Sequence, residues 1–134
     1  MQTTIKIQKF TDLVVWQEGH KLVLMIYKTT RKFPKSEIFG LVSQMQRSAV
    51  SVTSNIAEGF GRRAYKERSH FYYIAQGSLT ELKNQLLIAR DIGYISDVDY
   101  LNIEEQANQT HRILQGFISK TNQFAGSYLL TPTS

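Results

Sequence analysis

The chain has 134 residues, which fits one domain and leaves little room for a second. Sixteen Lys plus Arg against eleven Asp plus Glu give a net charge of +5, on a chain that is 42% hydrophobic and 20% charged. That is a foldable, moderately basic composition, and the absence of cysteine excludes disulfide scaffolds, thiol redox chemistry, cysteine-ligated zinc and cysteine nucleophiles together. The longest uninterrupted apolar run, Leu22 to Tyr27, is far short of the roughly 20 residues that cross a bilayer. Met1 to Phe10 offers no apolar segment that would serve as a signal, so the expected location is the cytoplasm, with no membrane partner.

In chain order, residues 1–11 read as an N-terminal arm. Thr11 followed by Asp12 is an N-cap with an acid in the first turn, and Phe10 is placed to staple onto Val15. Leu13, Trp16, His20, Val23, Tyr27 and Thr30 recur at three and four spacing, with Val15, Leu22 and Ile26 widening the stripe, until Phe33-Pro34 ends it. Helix 1 is expected over 12–32. Ser36, with Glu37 behind it, starts a second helix over 36–58, in which Ile38, Val42, Met45, Ala49, Val52 and Ile56 keep a seven-residue repeat up to Gly59-Phe60-Gly61. These glycines read as a helix end and tight turn.

A third helix, 64–92, carries Tyr72, Ala75, Leu79, Leu82, Leu86 and Ala89, and Gly93 stops it. Ser96 or Asp97 caps a fourth, 97–123, with Ile103, Ala107, Thr110, Leu114, Phe117, Thr121 and Phe124 in register. Residues 125–134 have no period and read as a flexible C-terminal tail. Four long helices with short connections and no competing strand pattern predict an all-α, up-and-down antiparallel four-helix bundle over 12–124.

Charge is uneven along the chain. Residues 1–68 hold twelve basic and five acidic side chains, residues 69–134 four and six. In an up-and-down bundle the start of helix 1, the turn between helices 2 and 3 and the end of helix 4 share one pole. Lys6, Lys9, Arg62, Arg63, Lys66, Arg68 and Lys120 are expected there, opposed mainly by Asp12, Glu58 and Glu67. Clustered cations bind phosphates through a salt-sensitive, sequence-independent attraction, and the first N–H groups of helix 3 add to it. A merely solvated surface is the plain alternative.

Tyr65, Arg68 and Tyr72 share a helical face suited to base stacking, while the consecutive rings of Phe71, Tyr72 and Tyr73 point about 100° apart and cannot all enter one core. A subunit interface accounts for the surplus aromatic surface more simply than a nucleic-acid platform. Polar stripes on helix 2 (Gln44, Arg47, Ser48, Ser51, Asn55, Glu58) and helix 3 (Ser78, Glu81, Gln85) are expected to form a structural network, with Arg47, Asn55, Glu58 and Glu81 organising the contact between the two helices. Glu67 and His70 form the one Glu-x-x-His pair, whereas a di-iron bundle needs two, so no metal site is expected. The glycines at 59 and 61 lack the Lys-Ser/Thr of a phosphate loop. No nucleophile and base stand together, so neither enzymatic activity nor a cofactor is expected.

Several blocks carry a resemblance: Phe10-x-x-Leu13-x-x-Trp16-Gln17, Phe33-Pro34-x-x-Glu37-x-Phe39-Gly40-Leu41, Gln44-Met45-x-Arg47, Ser51-Val52-x-x-Asn55-Ile56-Ala57-Glu58-Gly59-x-Gly61-Arg62 and Ala75-x-Gly77-Ser78-Leu79-x-Glu81-Leu82. Over residues 10–120 the chain resembles the four-helix-bundle proteins encoded in intervening sequences of bacterial 23S ribosomal RNA genes. The resemblance implies an up-and-down bundle assembling as a ring-like homopentamer with a basic surface. It also implies kinship with the accessory variability proteins of diversity-generating retroelements, which bind nucleic acid and engage a reverse transcriptase. The family gives Asn55, Glu58, Gly59, Ser78 and Glu81 no chemical role, and ribosome binding does not follow from genomic location. The function expected from sequence is therefore a non-enzymatic, oligomeric binder of RNA or DNA, an adaptor for an enzyme such as a reverse transcriptase. Its phosphate contacts are Lys6, Lys9, Arg62, Arg63, Lys66 and Arg68. The alternative is a protein scaffold whose basic pole docks an acidic protein.

Overall fold

The apolar periodicities close into four helices: α1 Val14–Thr30, α2 Leu41–Phe60, α3 Tyr65–Asp91 and α4 Asp97–Leu130. The computed structural model describes residues 6–130. Each helix packs on the next and α4 returns to α1, and among the described residues α1 does not pair with α3 nor α2 with α4. This is the expected up-and-down bundle. The apolar positions read for α3 are all buried, as are Met45, Ala49, Val52 and Ile56 of α2 and Ile103, Ala107 and Leu114 of α4.

The stripe of α1 is centred differently from expectation. Val15, Gly19, Leu22, Ile26 and Thr30 face the core, whereas His20 and Tyr27 are exposed and Trp16 and Val23 lie at the flank. Both stripes are apolar enough to serve, and Gly19 decides between them. A Cβ there would stand 3.0 Å from Thr53 Cγ2, so the bare backbone lets α1 press against α2. His20 stacks on Trp16 at 4.7 Å, and Phe10 meets Trp16 edge-on at 5.4 Å in place of the expected contact with Val15.

Helix starts also differ from expectation. Neither Thr11 nor Ser36 supplies a side-chain cap: the N-caps are Leu13 and Gly40, each preceded by a short 3₁₀ turn, Phe10–Asp12 and Lys35–Glu37. Carboxylates serve these ends. Asp12 accepts from the Gln8 and Lys9 N–H groups at 3.0 and 3.1 Å, and these bonds hold its pKa below the usual range. Glu37 accepts from the Leu41 N–H at 3.3 Å and from the Tyr94 hydroxyl at 2.9 Å, tying the α1–α2 loop to the α3–α4 loop.

At the other helix ends, Gly93 takes φ +87° as α3 stops, with the Tyr94 N–H returning to the Ala89 carbonyl at 2.9 Å, and Ser96 Oγ accepts from the Asp99 N–H at 3.1 Å to cap α4. Helix α4 continues to Leu130, past the expected end near 123: the one glycine of 124–130, Gly126, is accommodated within the helix, and the next proline is Pro132. Residues 1–5 of the arm and 131–134 of the tail lie outside the described residues.

Gly59 does not end α2, which runs one residue further. A Cβ at this position would stand 2.7 Å from Tyr72 Cε1 and 2.9 Å from Phe71 Cβ, so close helix approach requires the glycine. Gly77, in the middle of α3, has nothing within 4 Å of such a Cβ. The two positions should therefore respond oppositely to alanine. Gly77→Ala should stabilise by about 0.5–1 kcal/mol through helix propensity. Gly59→Ala should destabilise despite the same gain, since overpacking costs about 1–3 kcal/mol. Urea unfolding midpoints read both signs.

Candidate nucleic-acid interface

The turn from Gly61 to Ala64 carries two arginines, and the first turns of α3 add Lys66 and Arg68. The far end of α4 reaches the same pole. Tyr65 stacks on Phe124 at 5.4 Å, Ser69 Oγ donates to Asn122 Oδ1, and Asn122 donates to the Tyr73 hydroxyl at 2.9 Å. Lys120 lines a shallow apolar groove with Leu13, Val14 and Phe117, which brings in the start of α1.

The cations of this pole fall into two kinds. Arg68 is folded inward: its Nε donates to the Arg62 carbonyl at 2.6 Å and its guanidinium lies over Phe60 and Tyr65 at 5.4 and 5.3 Å. It braces the turn. Arg62 is fixed outward, with Nη2 2.6 Å from Glu58 Oε1 and its guanidinium 4.8 Å from the Phe71 ring centre. Arg63 and Lys66 are exposed and make no ion pair among the described residues. Lys6 and Lys9 are exposed too, and the 3₁₀ turn after them packs on α2, but no hydrogen bond among the described residues joins them to the Arg62–Arg68 cluster. An open groove of about 650 Å³ lies along the start of α3, lined by Arg62, Ala64, Lys66, Glu67, His70 and Phe71. No third ligating side chain among the described residues joins Glu67 and His70.

Tyr72 is not available for stacking on a base. It is 1% exposed and packed against Phe117 at 4.7 Å, and burial pushes its phenol up to about 12. Tyr73, by contrast, faces outward.

The polar network between α2 and α3 differs from expectation in its members. Ser51 and Ser78 share a hydrogen bond of 2.8 Å, and Asn55 Nδ2 donates to the Ser51 carbonyl and hydroxyl at 2.8 and 3.0 Å. Arg47, Glu58 and Glu81 are exposed and, among the described residues, make no bond between the two helices: Glu58 pairs with Arg62, and Glu81 accepts from Gln85 on its own helix at 3.4 Å. The narrow gap admits hydroxyls and one amide, while long charged side chains keep their hydration by turning outward.

A contact that sequence reasoning missed joins α3 to α4. Lys83 Nζ stands 2.7 Å from His111 Nδ1, and both are half-buried. Burial lowers the pKa of Lys83, and burial together with the Lys83 charge lowers that of His111. The imidazole therefore serves as a neutral acceptor.

Four helices packed each on the next, with the last returning to the first, make this an antiparallel four-helix bundle. The chain belongs to the 23S rRNA-intervening sequence protein family, whose model matches residues 11–116. A search of the curated proteins finds no match. Among solved structures, the chain is similar to a crystal structure of a protein of unknown function from the S23 ribosomal protein family of Bacteroides thetaiotaomicron VPI-5482. The TM-score is 0.71 at 21% identity, over 78% of this chain and 98% of that one. That likeness establishes the fold.

The Lys83–His111 contact gives a pH dependence with a definite sign. The folded chain resists protonating His111, whereas the unfolded imidazole takes up a proton near 6.5, so stability falls as pH drops through that value. The unfolding temperature should decline from pH 7 to pH 5, above the usual carboxylate range, and the decline should shrink in His111→Gln. Identical pH profiles for the two proteins would rule this out.

Proposed function

We propose that this protein is a non-enzymatic, oligomeric binder of nucleic acid that uses the pole formed by the α2–α3 turn. The observation that carries the reading is the pair Arg63 and Lys66, exposed, without ion-pair partners among the described residues, and set beside the outward-held Arg62. Such side chains attract phosphates without reading sequence. Four cations, Arg62, Arg63, Lys66 and Arg68, outnumber the carboxylates Glu58 and Glu67 there, and Lys6, Lys9 and Lys120 extend the field.

A net charge of +5 on one chain is modest, and assembly multiplies it, since linked weak sites bind a long polyanion far more tightly than one site does. Phe39 supports assembly. It is 97% exposed, next to Ile38 at 50%, on a turn held by the Glu37 bonds to Leu41 and Tyr94. An aromatic ring left bare to water on a braced turn supports an interface, and a homo-oligomer, a ring of five by family resemblance, is the assembly proposed. An adaptor role beside a nucleic-acid enzyme such as a reverse transcriptase belongs to the same proposal and rests on the resemblance to the accessory variability proteins alone.

Binding of labelled RNA and duplex DNA across a salt series tests the first part. Arg63→Glu with Lys66→Glu should weaken binding of both and flatten the logarithmic salt slope by about two, with helicity kept. Unchanged affinity and slope would overturn it. A well-formed oligomer that ignores both nucleic acids at low salt would instead favour the scaffold that docks an acidic protein.

Light scattering tests the second part. Phe39→Ser should lower the particle mass toward that of the protomer, and an unaltered oligomer would place the subunit contact elsewhere.

A further inference from the structure

We propose that the groove at the start of α3 is built for single-stranded nucleic acid: one base lies against the Arg62 guanidinium while Arg63 and Lys66 hold the flanking phosphates. This rests on the nucleic-acid reading above and narrows it to a substrate class.

Three features of the groove carry the argument. Arg62 is contacted on two sides, by Glu58 Oε1 at 2.6 Å and by the Phe71 ring at 4.8 Å, and still lines the open groove of about 650 Å³. A guanidinium oriented in this way presents a flat cationic surface, on which unpaired bases stack. His70 meets the half-buried Phe71 at 5.6 Å and 74° and adds an exposed ring to the same groove. Finally, the chemistry of the walls is mixed. Glu67 repels a phosphate but accepts hydrogen bonds from base N–H groups, so the groove suits a base with its phosphates kept toward Arg63 and Lys66. A duplex hides its base faces within its own stack and gains nothing from Arg62 beyond charge.

The test is fluorescence anisotropy on the full chain, with a labelled oligothymidine strand and a mixed-sequence duplex of equal length. The wild type should prefer the single strand by about tenfold, the worth of one stacked base. Arg62→Lys keeps the charge and loses the plane. It should weaken single-strand binding by about that factor and leave duplex affinity and the salt slope unchanged. Equal weakening on both substrates, or equal wild-type affinity for both, would reduce Arg62 to a phosphate contact and overturn this inference while the nucleic-acid reading stands. Failure of the wild type to bind either would overturn both. Photo-cross-linking of the wild type to a strand carrying 5-iodouracil gives a readout free of any folding effect of the substitution. Adducts within residues 62–71 are expected, and adducts confined to other parts of the chain would refute the site.

Discussion

The close approach of α2 and α3 over Gly59 sets the geometry of the whole cationic pole. The absent side chain lets the Tyr72 ring lie directly on the α2 backbone, and the other side of that ring reaches Phe117 of α4. Three helices are thereby fixed relative to one another one turn away from the Gly61–Ala64 turn. Arg68 then closes the turn from inside, through Phe60, Tyr65 and the Arg62 carbonyl, and Arg62 is left pointing outward with Glu58 and Phe71 beside it. A charge cluster that sequence alone presents as interchangeable cations thus divides into one that builds the turn, one that is paired and stacked at the surface, and two that stay exposed.

How much of this is legible in the sequence depends on whether the deciding contact is local. Helix α3 is read to within a residue at each end because its apolar repeat is unbroken and Gly93 is a true left-handed stop. The core face of α1 is not, since two apolar stripes compete and the choice is made by Gly19 against Thr53, on another helix. The start of α2 is displaced because Glu37 caps from within a 3₁₀ turn, a geometry that Ser36 imitates in sequence. Within the candidate site, the Glu58–Arg62 pair at four-residue spacing is legible in principle. Lys83 with His111, and Ser51 with Ser78, lie 28 and 27 residues apart and depend on helix register. Polar stripes announce a network without saying which members are short enough to enter it.

The two ends of the bundle do different physical work. One concentrates exposed cations around a paired and stacked arginine, suited to a flexible polyanion. The other offers exposed carbon on a braced loop, suited to another folded surface. Charge is not confined to one end, since Lys28, Arg31, Lys32 and Lys35 are exposed at the end of α1 and in the loop that leads to Phe39, but there they stand beside Glu37, Asp91, Asp97 and Asp99.

The seam between α1 and α4 has a kinetic meaning of its own. The other three seams join helices adjacent in sequence, whereas Gln106 donates to the carbonyl and carboxylate of Glu18, both at 2.9 Å, across 88 residues. Beside these bonds lies a polar groove of about 380 Å³ that includes Lys21, Asn102 and Arg112. Bundles of low contact order fold on microsecond to millisecond timescales, and the cost of closing a long loop grows only logarithmically with its length. The seam that joins the first helix to the last is therefore the one long-range closure of the bundle, and it forms only once the hairpins between neighbouring helices have brought both ends of the chain together.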